Sequence, residues 1–204
     1  MGRAPWWVPG VVYAALAALG ATLAQLHHGG ILTPPPGPRF ADDPATAQTV
    51  GLALALALSL LTLVATRWLV AARVRWADAL ARALRGAVLG ASPRELRWMA
   101  LGGALAEELL FRAALVPILG IAASAVVFGA LHFSGRATYF TWMLWATGMG
   151  VLLGMLFVYS GSLLPPLLAH ALINHENMRF LRAGMTPPEG PLAARPHDPR
   201  TRRL

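Results

Sequence analysis

The stretch WMALGGALAEELLFRAALVPIL, residues 98–119, decides how this chain is read. It is long and apolar enough to cross a hydrocarbon core of about 30 Å, which takes about 20 residues of helix. Yet Glu107, Glu108 and Arg112 stand at its middle, where each charge costs about 2.5–3.5 kcal/mol even on lenient insertion scales. Ionisable residues at that depth face the protein interior and mark a functional site. Helical spacing sorts the three. Glu108 and Arg112 are four apart, so they share a face and can pair. Glu107 is turned about 100° away and stacks with Gly103 and Phe111 instead. One carboxylate is thus neutralised by its own helix. The other has no intrahelical partner and is available as a general base for water.

The rest of the chain fits a membrane setting. Of its 204 residues 56% are hydrophobic, and there is no cysteine, which removes disulfides, thiol catalysis and thiolate metal sites. The net charge is +8, but all 17 basic residues are Arg and most lie between apolar runs or in the tail. That is the positive-inside pattern of a bacterial inner-membrane protein, not the basic patch of a nucleic-acid binder. The first apolar run lacks a small-residue cleavage site and reads as a retained span.

Hydrophobic runs predict an all-α, polytopic bundle of about six spans: residues 7–26, 50–70, 94–119, a short 121–133, 139–159 and 162–178. Trp6 and Trp7 anchor the first at the interface, and Arg67 and Trp68 mark the exit of the second. The connection 27–49 is broken by Pro34, Pro35, Pro36 and Pro38. Residues 72–91 repeat Trp76, Leu80, Leu84 and Val88 at helical spacing among arginines, which predicts an amphipathic anchor on the membrane surface. Ser92-Pro93-Arg94-Glu95 is a helix start with a capping box. Gly148, Gly150 and Gly154 predict close helix approach, and the tail from 183 onward is expected to be disordered. The chain therefore divides into N-terminal spans with the amphipathic helix (1–91), a core (92–182) and a tail (183–204). Arginine asymmetry sets both termini in the cytoplasm.

Two further motifs lie at a matching depth. His132 follows Phe128 by four residues, and His170 and Asn174 share a face of the last span. At 1.5 Å per residue, Glu107 lies roughly 15 Å from the start of its span and His170 about 12 Å from the end of its own. The two can meet in the cytoplasmic half.

Glu107-Glu108-x-x-x-Arg112, then Phe128-x-x-x-His132, then His170-x-x-x-Asn174 resembles the CAAX-protease and bacteriocin-processing (Abi) family of intramembrane endopeptidases. The resemblance covers residues 92–178. It implies that Glu107 activates a water with help from His132, and that His170 and Asn174 stabilise the oxyanion. Glu108, Arg112 and Phe128 would support them. The substrate implied is a membrane-associated protein or peptide, in sorting-signal or bacteriocin processing. The Lys-free, Ala- and Arg-rich composition points to a bacterial member such as a myxosortase. There is no HExxH motif. Glu107, His132 and His170 are the set that would hold zinc, but Asn174 suits an oxyanion hole better, so the metal-free form is favoured. The rival readings are an ion-coupled transporter, which lacks the matching interrupted helices in two halves, and a non-catalytic scaffold or immunity protein. His175, Glu176 and Asn177 are expected at the solvated exit of the last span, and His27 and His28 at the opposite membrane face.

Overall fold

The computed structural model describes residues 7–31, 33, 35 and 37–184. Trp6 and the tail from 185 onward lie outside the described residues. All regular structure is helical: α1 (Trp7–His28), α2 (Pro44–Ala71), α3 (Arg75–Val88), α4 (Pro93–Glu108), a π-helical segment (Leu109–Leu115), α5 (Val116–Ala130), α6 (Ala137–Ser160) and α7 (Leu164–Arg182). This is a multi-pass membrane bundle.

Among the described residues four helical stretches are long and apolar enough to span: Val8–His28, Pro44–Ala71, Pro93–Ala130 and Ala137–Ser160. The six expected passes differ from this for two reasons. Glu176, Arg179 and Arg182 make the end of α7 too polar. The stretch Pro93–Ala130 is not one rod. Gly120 takes φ 79° and ψ 169°, a conformation open to glycine, and the chain folds back there. Phe111 and Phe128 would stand about 25 Å apart on a continuous helix; their ring centroids are 4.9 Å apart. Ser124 Oγ also donates to the Phe111 carbonyl at 3.0 Å. Residues 121–130 therefore form a short returning leg of about 15 Å, as the short fourth segment predicted.

Local signals place the helix starts. Ser92 Oγ accepts from Glu95 N at 3.2 Å while Ser92 N donates to Glu95 Oε2 at 2.7 Å, so the predicted capping box forms. Helix α2 begins at Pro44, earlier than expected, because Asp43 caps it by accepting from Thr46 N at 2.7 Å. Hydrogen bonds from the Thr46 hydroxyl and N–H hold the exposed Asp43 carboxyl below the usual carboxylate range. The end of the connection, Arg39 and Phe40, docks on the C-terminal end of α6. Phe40 N donates to the Tyr159 carbonyl at 2.8 Å, the two rings stack, and Arg39 donates to the Val158 carbonyl near the C-terminus of α6.

The glycine seam is shifted from the expected one. A Cβ on Gly150 would come within 3.0 Å of Ala125, and one on Gly154 within 3.0 Å of Ile121, so these two let the returning leg pack on α6. Gly129 completes the seam, since a Cβ there would strike Thr147 and the Met143 carbonyl. Gly148 meets nothing within 4 Å and is not part of it. Small residues at membrane-helix contacts admit this closeness.

Helix α3 is amphipathic as predicted, over 75–88 rather than 72–91. Beyond anchoring, it buries Ala77, Ala81 and Val88 against the bundle and lies across the ends of α2, α6 and α7. Ten of the described arginines, among them Arg67, Arg73, Arg82, Arg94, Arg136 and Arg179, belong to the segments at this end of the molecule.

Candidate functional site

Glu108 and Arg112 are almost wholly buried, at 0% and 1% exposure, so neither charge has water to fall back on. Arg112 Nη1 lies 2.9 Å from Glu108 Oε1 as predicted. The contact is one of charge more than alignment, because both Nη atoms and Glu108 Oε2 lack a well-directed hydrogen bond. The guanidinium lies over the Phe128 ring instead, 4.7 Å from its centroid.

Regular helix geometry ends here. The π-helical segment begins directly after Glu108 and contains Arg112, and such wide turns cluster at functional sites. Pro117 follows and cannot donate to the carbonyl of Ala113 four residues back. That carbonyl takes a hydrogen bond from His28 Nε2 at 2.7 Å. His28 is therefore a strut for the widened turn and not a member of the site, consistent with its expected distance from the chemistry.

Helix α7 brings His170 between the two carboxylates. Its Nδ1 lies 2.7 Å from Glu108 Oε1 and its Nε2 lies 3.5 Å from Glu107 Oε2. Glu108 is paired with a guanidinium and stays an acceptor, so Nδ1 carries the hydrogen of that bond. Nε2 then faces Glu107. Of the two carboxylates only Glu107 keeps some access, its side chain being 24% exposed. The predicted meeting of Glu107 and His170 at one depth thus holds in the structure.

His132 and Asn174 stand on the other side of His170. His132 Nδ1 donates to the Phe128 carbonyl at 2.8 Å, which leaves Nε2 turned outward, and its ring packs edge-on to Trp142 at 4.9 Å. His132, His170, Asn174 and Phe128 line one cavity of about 250 Å³, together with Met149, Leu153 and, from α3, Leu84 and Val88. Helix α3 is thereby a wall of the site. Leu84, Trp142, Trp145, Asn177 and Leu181 also line an adjoining apolar groove between α3 and the ends of α2, α6 and α7.

Sequence and structure differ in several respects here. Glu107 was expected to work with His132; among the described residues its ionic partner is His170. The zinc set Glu107, His132 and His170 does not converge, and no three His, Asp or Glu side chains among the described residues are grouped to hold a metal. Asn177 is not simply solvated, since Arg67 donates to its Oδ1 at 2.6 Å and lies over Phe180. Tyr13 and Gly20 of α1 were not foreseen. Gly20 touches the start of the π-helical segment, where a Cβ would meet the Leu109 carbonyl group at 2.6–2.7 Å. Its only sequence signal was a glycine in an otherwise Ala- and Leu-rich span.

Residues 90–175, which contain every one of these motif residues, match the family model described as Type II CAAX prenyl endopeptidase Rce1-like. This segment is similar to the Rce1-like family over 86 of the 204 residues. The "Uncharacterized protein YpbD" of Bacillus subtilis (strain 168) is 34% identical over 71 residues, covering 35% of this chain and 37% of that protein. The chain thus matches little more than a third of that relative's length. No solved structure matches. The Rce1-like segment starts two residues before Ser92 and ends one residue after Asn174. It holds the site but leaves out α1, α2 and α3, which supply the strut and the cavity wall.

Proposed function

We propose that this protein is an intramembrane endopeptidase that hydrolyses a peptide bond in a membrane-associated protein or peptide, using a water activated by Glu107. The observation that carries the reading is the linked set Arg112–Glu108–His170–Glu107, buried at one end and partly open at the other. Beside it lies a cavity with polar groups from His132 and Asn174. The family of the core supports the reaction class.

In this mechanism Glu107 takes a proton from water, and the water oxygen bonds to the substrate carbonyl carbon. The Asn174 amide is the donor that faces the cavity, where an oxyanion would form, and a donor fixed in advance at such a position contributes most to the rate. His132 Nε2, with the ring hydrogen held on Nδ1 by the Phe128 carbonyl, is an acceptor for the attacking water. Among the described residues no side-chain hydrogen bond occupies Asn174. When the C–N bond breaks, the proton held by Glu107 passes to the leaving nitrogen. His170, fixed by Glu108, holds the Glu107 carboxylate in place from 3.5 Å away. This revises the role that the family resemblance gave to His170, because both its nitrogens face carboxylates. The proposed mechanism uses no metal. The arginine-rich end would face the cytoplasm of a bacterial inner membrane, placing the cavity mouth, α3 and both termini on that side.

The test is quantitative terminal-peptide proteomics of host membranes lacking the gene, complemented by wild type or by Glu107→Ala at equal expression. We expect termini that appear only with wild type. Loss of a general base costs about 10²–10⁴ in rate, so the variant should leave substrates essentially uncut. Equal rescue by both, with no changed termini, would overturn the reading in favour of a scaffold.

A further inference from the structure

Glu107 has three neighbouring elements. Glu108 and Arg112 act on it from its own helix and the π-helical segment, and His170 from α7. The third is α1, which lies outside the Rce1-like segment. Gly102 and Gly103 form a bare patch on α4, and the ring of Tyr13 rests on it. A Cβ on Gly102 would lie 3.2 Å from Tyr13 Cδ2, and one on Gly103 3.4 Å from the Tyr13 hydroxyl. Gly103 is one helical turn before Glu107 on the same face. Side chains on a helix lean toward its N-terminus, so the Glu107 carboxylate leans back over the patch where the phenol sits. The two groups interact electrostatically.

A tyrosine here is otherwise unexplained. Among the described residues its hydroxyl forms no direct hydrogen bond, and a phenylalanine would fill the glycine patch equally well. Tyr13 is half-buried, with its ring on the glycines and its hydroxyl at the Gly103 end of the patch, and a phenol so placed has a polar end to give to a nearby acceptor. Glu107, one turn further along the same face of α4, is the carboxylate on that side.

We propose that Tyr13 is a positioning residue for Glu107: its phenol O–H orients the carboxylate, and the water on it, from the side opposite His170. The inference rests on the reading of Glu107 as the base. It gives α1 a part in the chemistry that the core alone does not contain.

The first test needs no substrate. Infrared difference spectra of the purified full-length protein in lipid nanodiscs are recorded for wild type and Glu107→Gln, which assigns the Glu107 carboxyl band. Tyr13→Phe keeps the ring on the glycine patch and removes only the oxygen. We expect it to shift that band. Tyr159→Phe, at the far end of α6 and stacked on Phe40, should leave the band in place. An unmoved band in Tyr13→Phe, or an equal shift in Tyr159→Phe, overturns the proposal.

The second readout uses a substrate found by the terminal proteomics. Tyr13→Phe should lower kcat about tenfold with KM unchanged, as expected for loss of one hydrogen bond to a charged group. A merely structural tyrosine would leave both the band and kcat unaltered once the protein is folded. If Glu107→Ala still cleaves, the base assignment fails, and the band then reports only whether Tyr13 and Glu107 touch. A moved band with unchanged kcat would overturn the catalytic part of the proposal.

Discussion

The Rce1-like core and the N-terminal helices solve opposite problems with the same apolar alphabet. In the core, α4, the π-helical segment, α5 and α7 bury Glu108, Arg112, Phe128 and His170 around one site. Helices α1 and α2 bury little beyond small residues, such as Ala24, Ala47, Ala55 and Ser59, and turn Val11, Leu26, Leu60 and Leu61 outward. In a bilayer those outward leucines cost nothing, since lipid is as apolar as they are. The contrast teaches that burial of charge, not hydrophobicity, separates a working region from a wall in this molecule. It also teaches that the wall is not idle. It touches the core through Gly20, His28 and Tyr13, each at the helix that carries the charges.

The largest break in this contrast comes from within the core. Arg112→Leu keeps the site apolar and nearly filled, but removes the guanidinium from the face of Phe128 and strips Glu108 of its counter-charge. Removing one partner of a buried pair costs about 3–5 kcal/mol, because the other is left uncompensated. We expect a correspondingly lower midpoint in denaturant titration of the protein in detergent. Arg112→Leu with Glu108→Gln should recover much of that loss, since a neutral amide needs no counter-ion. If the single variant is as stable as wild type, the pair does not carry the burial cost assigned to it.

A smaller break tests the contact between wall and core. At Gly20 an alanine must push α1 off the backbone of Leu109 and Leu110, because its Cβ would fall 2.6 Å from Leu110 N. Overpacking of this kind costs about 1–3 kcal/mol. Gly148→Ala is the control, having open space around it, and should stay within about 0.5 kcal/mol of wild type. Equal midpoints for the two would mean that α1 does not bear on the π-helical segment.

Much of this was legible in the sequence, and the exceptions share a cause. Spans, the capping box on Ser92, the pairing of Glu108 with Arg112 and the shared depth of Glu107 and His170 all follow from periodicity and rise along one helix. Those are local rules. What escaped depends on where helices touch. Gly150 and Gly129 face α5 and α6 contacts while Gly148 faces outward, and no spacing rule distinguishes them. The π-helical segment changes the rotation per residue between Glu108 and Arg112, yet only Pro117 hinted at it. Tyr13 and His28 act across helices, so their partners cannot be read from α1 alone. For the same reason His170, rather than His132, emerged as the neighbour of Glu107.

The smallest expected effect compares how each region starts a helix. Core helix α4 is capped by a neutral hydroxyl, Ser92, and wall helix α2 by a carboxylate, Asp43. Ser92→Ala should cost about 1 kcal/mol, softened where Arg182 still donates to the Ala91 carbonyl just before the cap. Asp43 responds to pH. Its carboxyl is held below its usual range in the folded chain by the hydrogen bonds from Thr46. Its contribution is therefore complete above the unfolded carboxylate range and is lost as pH falls through the lowered folded value. Hydrogen exchange of the first-turn amides reads both caps directly. Acidification should speed exchange at Thr46 in wild type and change nothing further in Asp43→Ala, where the cap is already gone. Should Thr46 exchange at the same rate in the two proteins near neutral pH, α2 would be held at its start by the bilayer and by Gly51 against Ser160 and Pro165, and not by its cap.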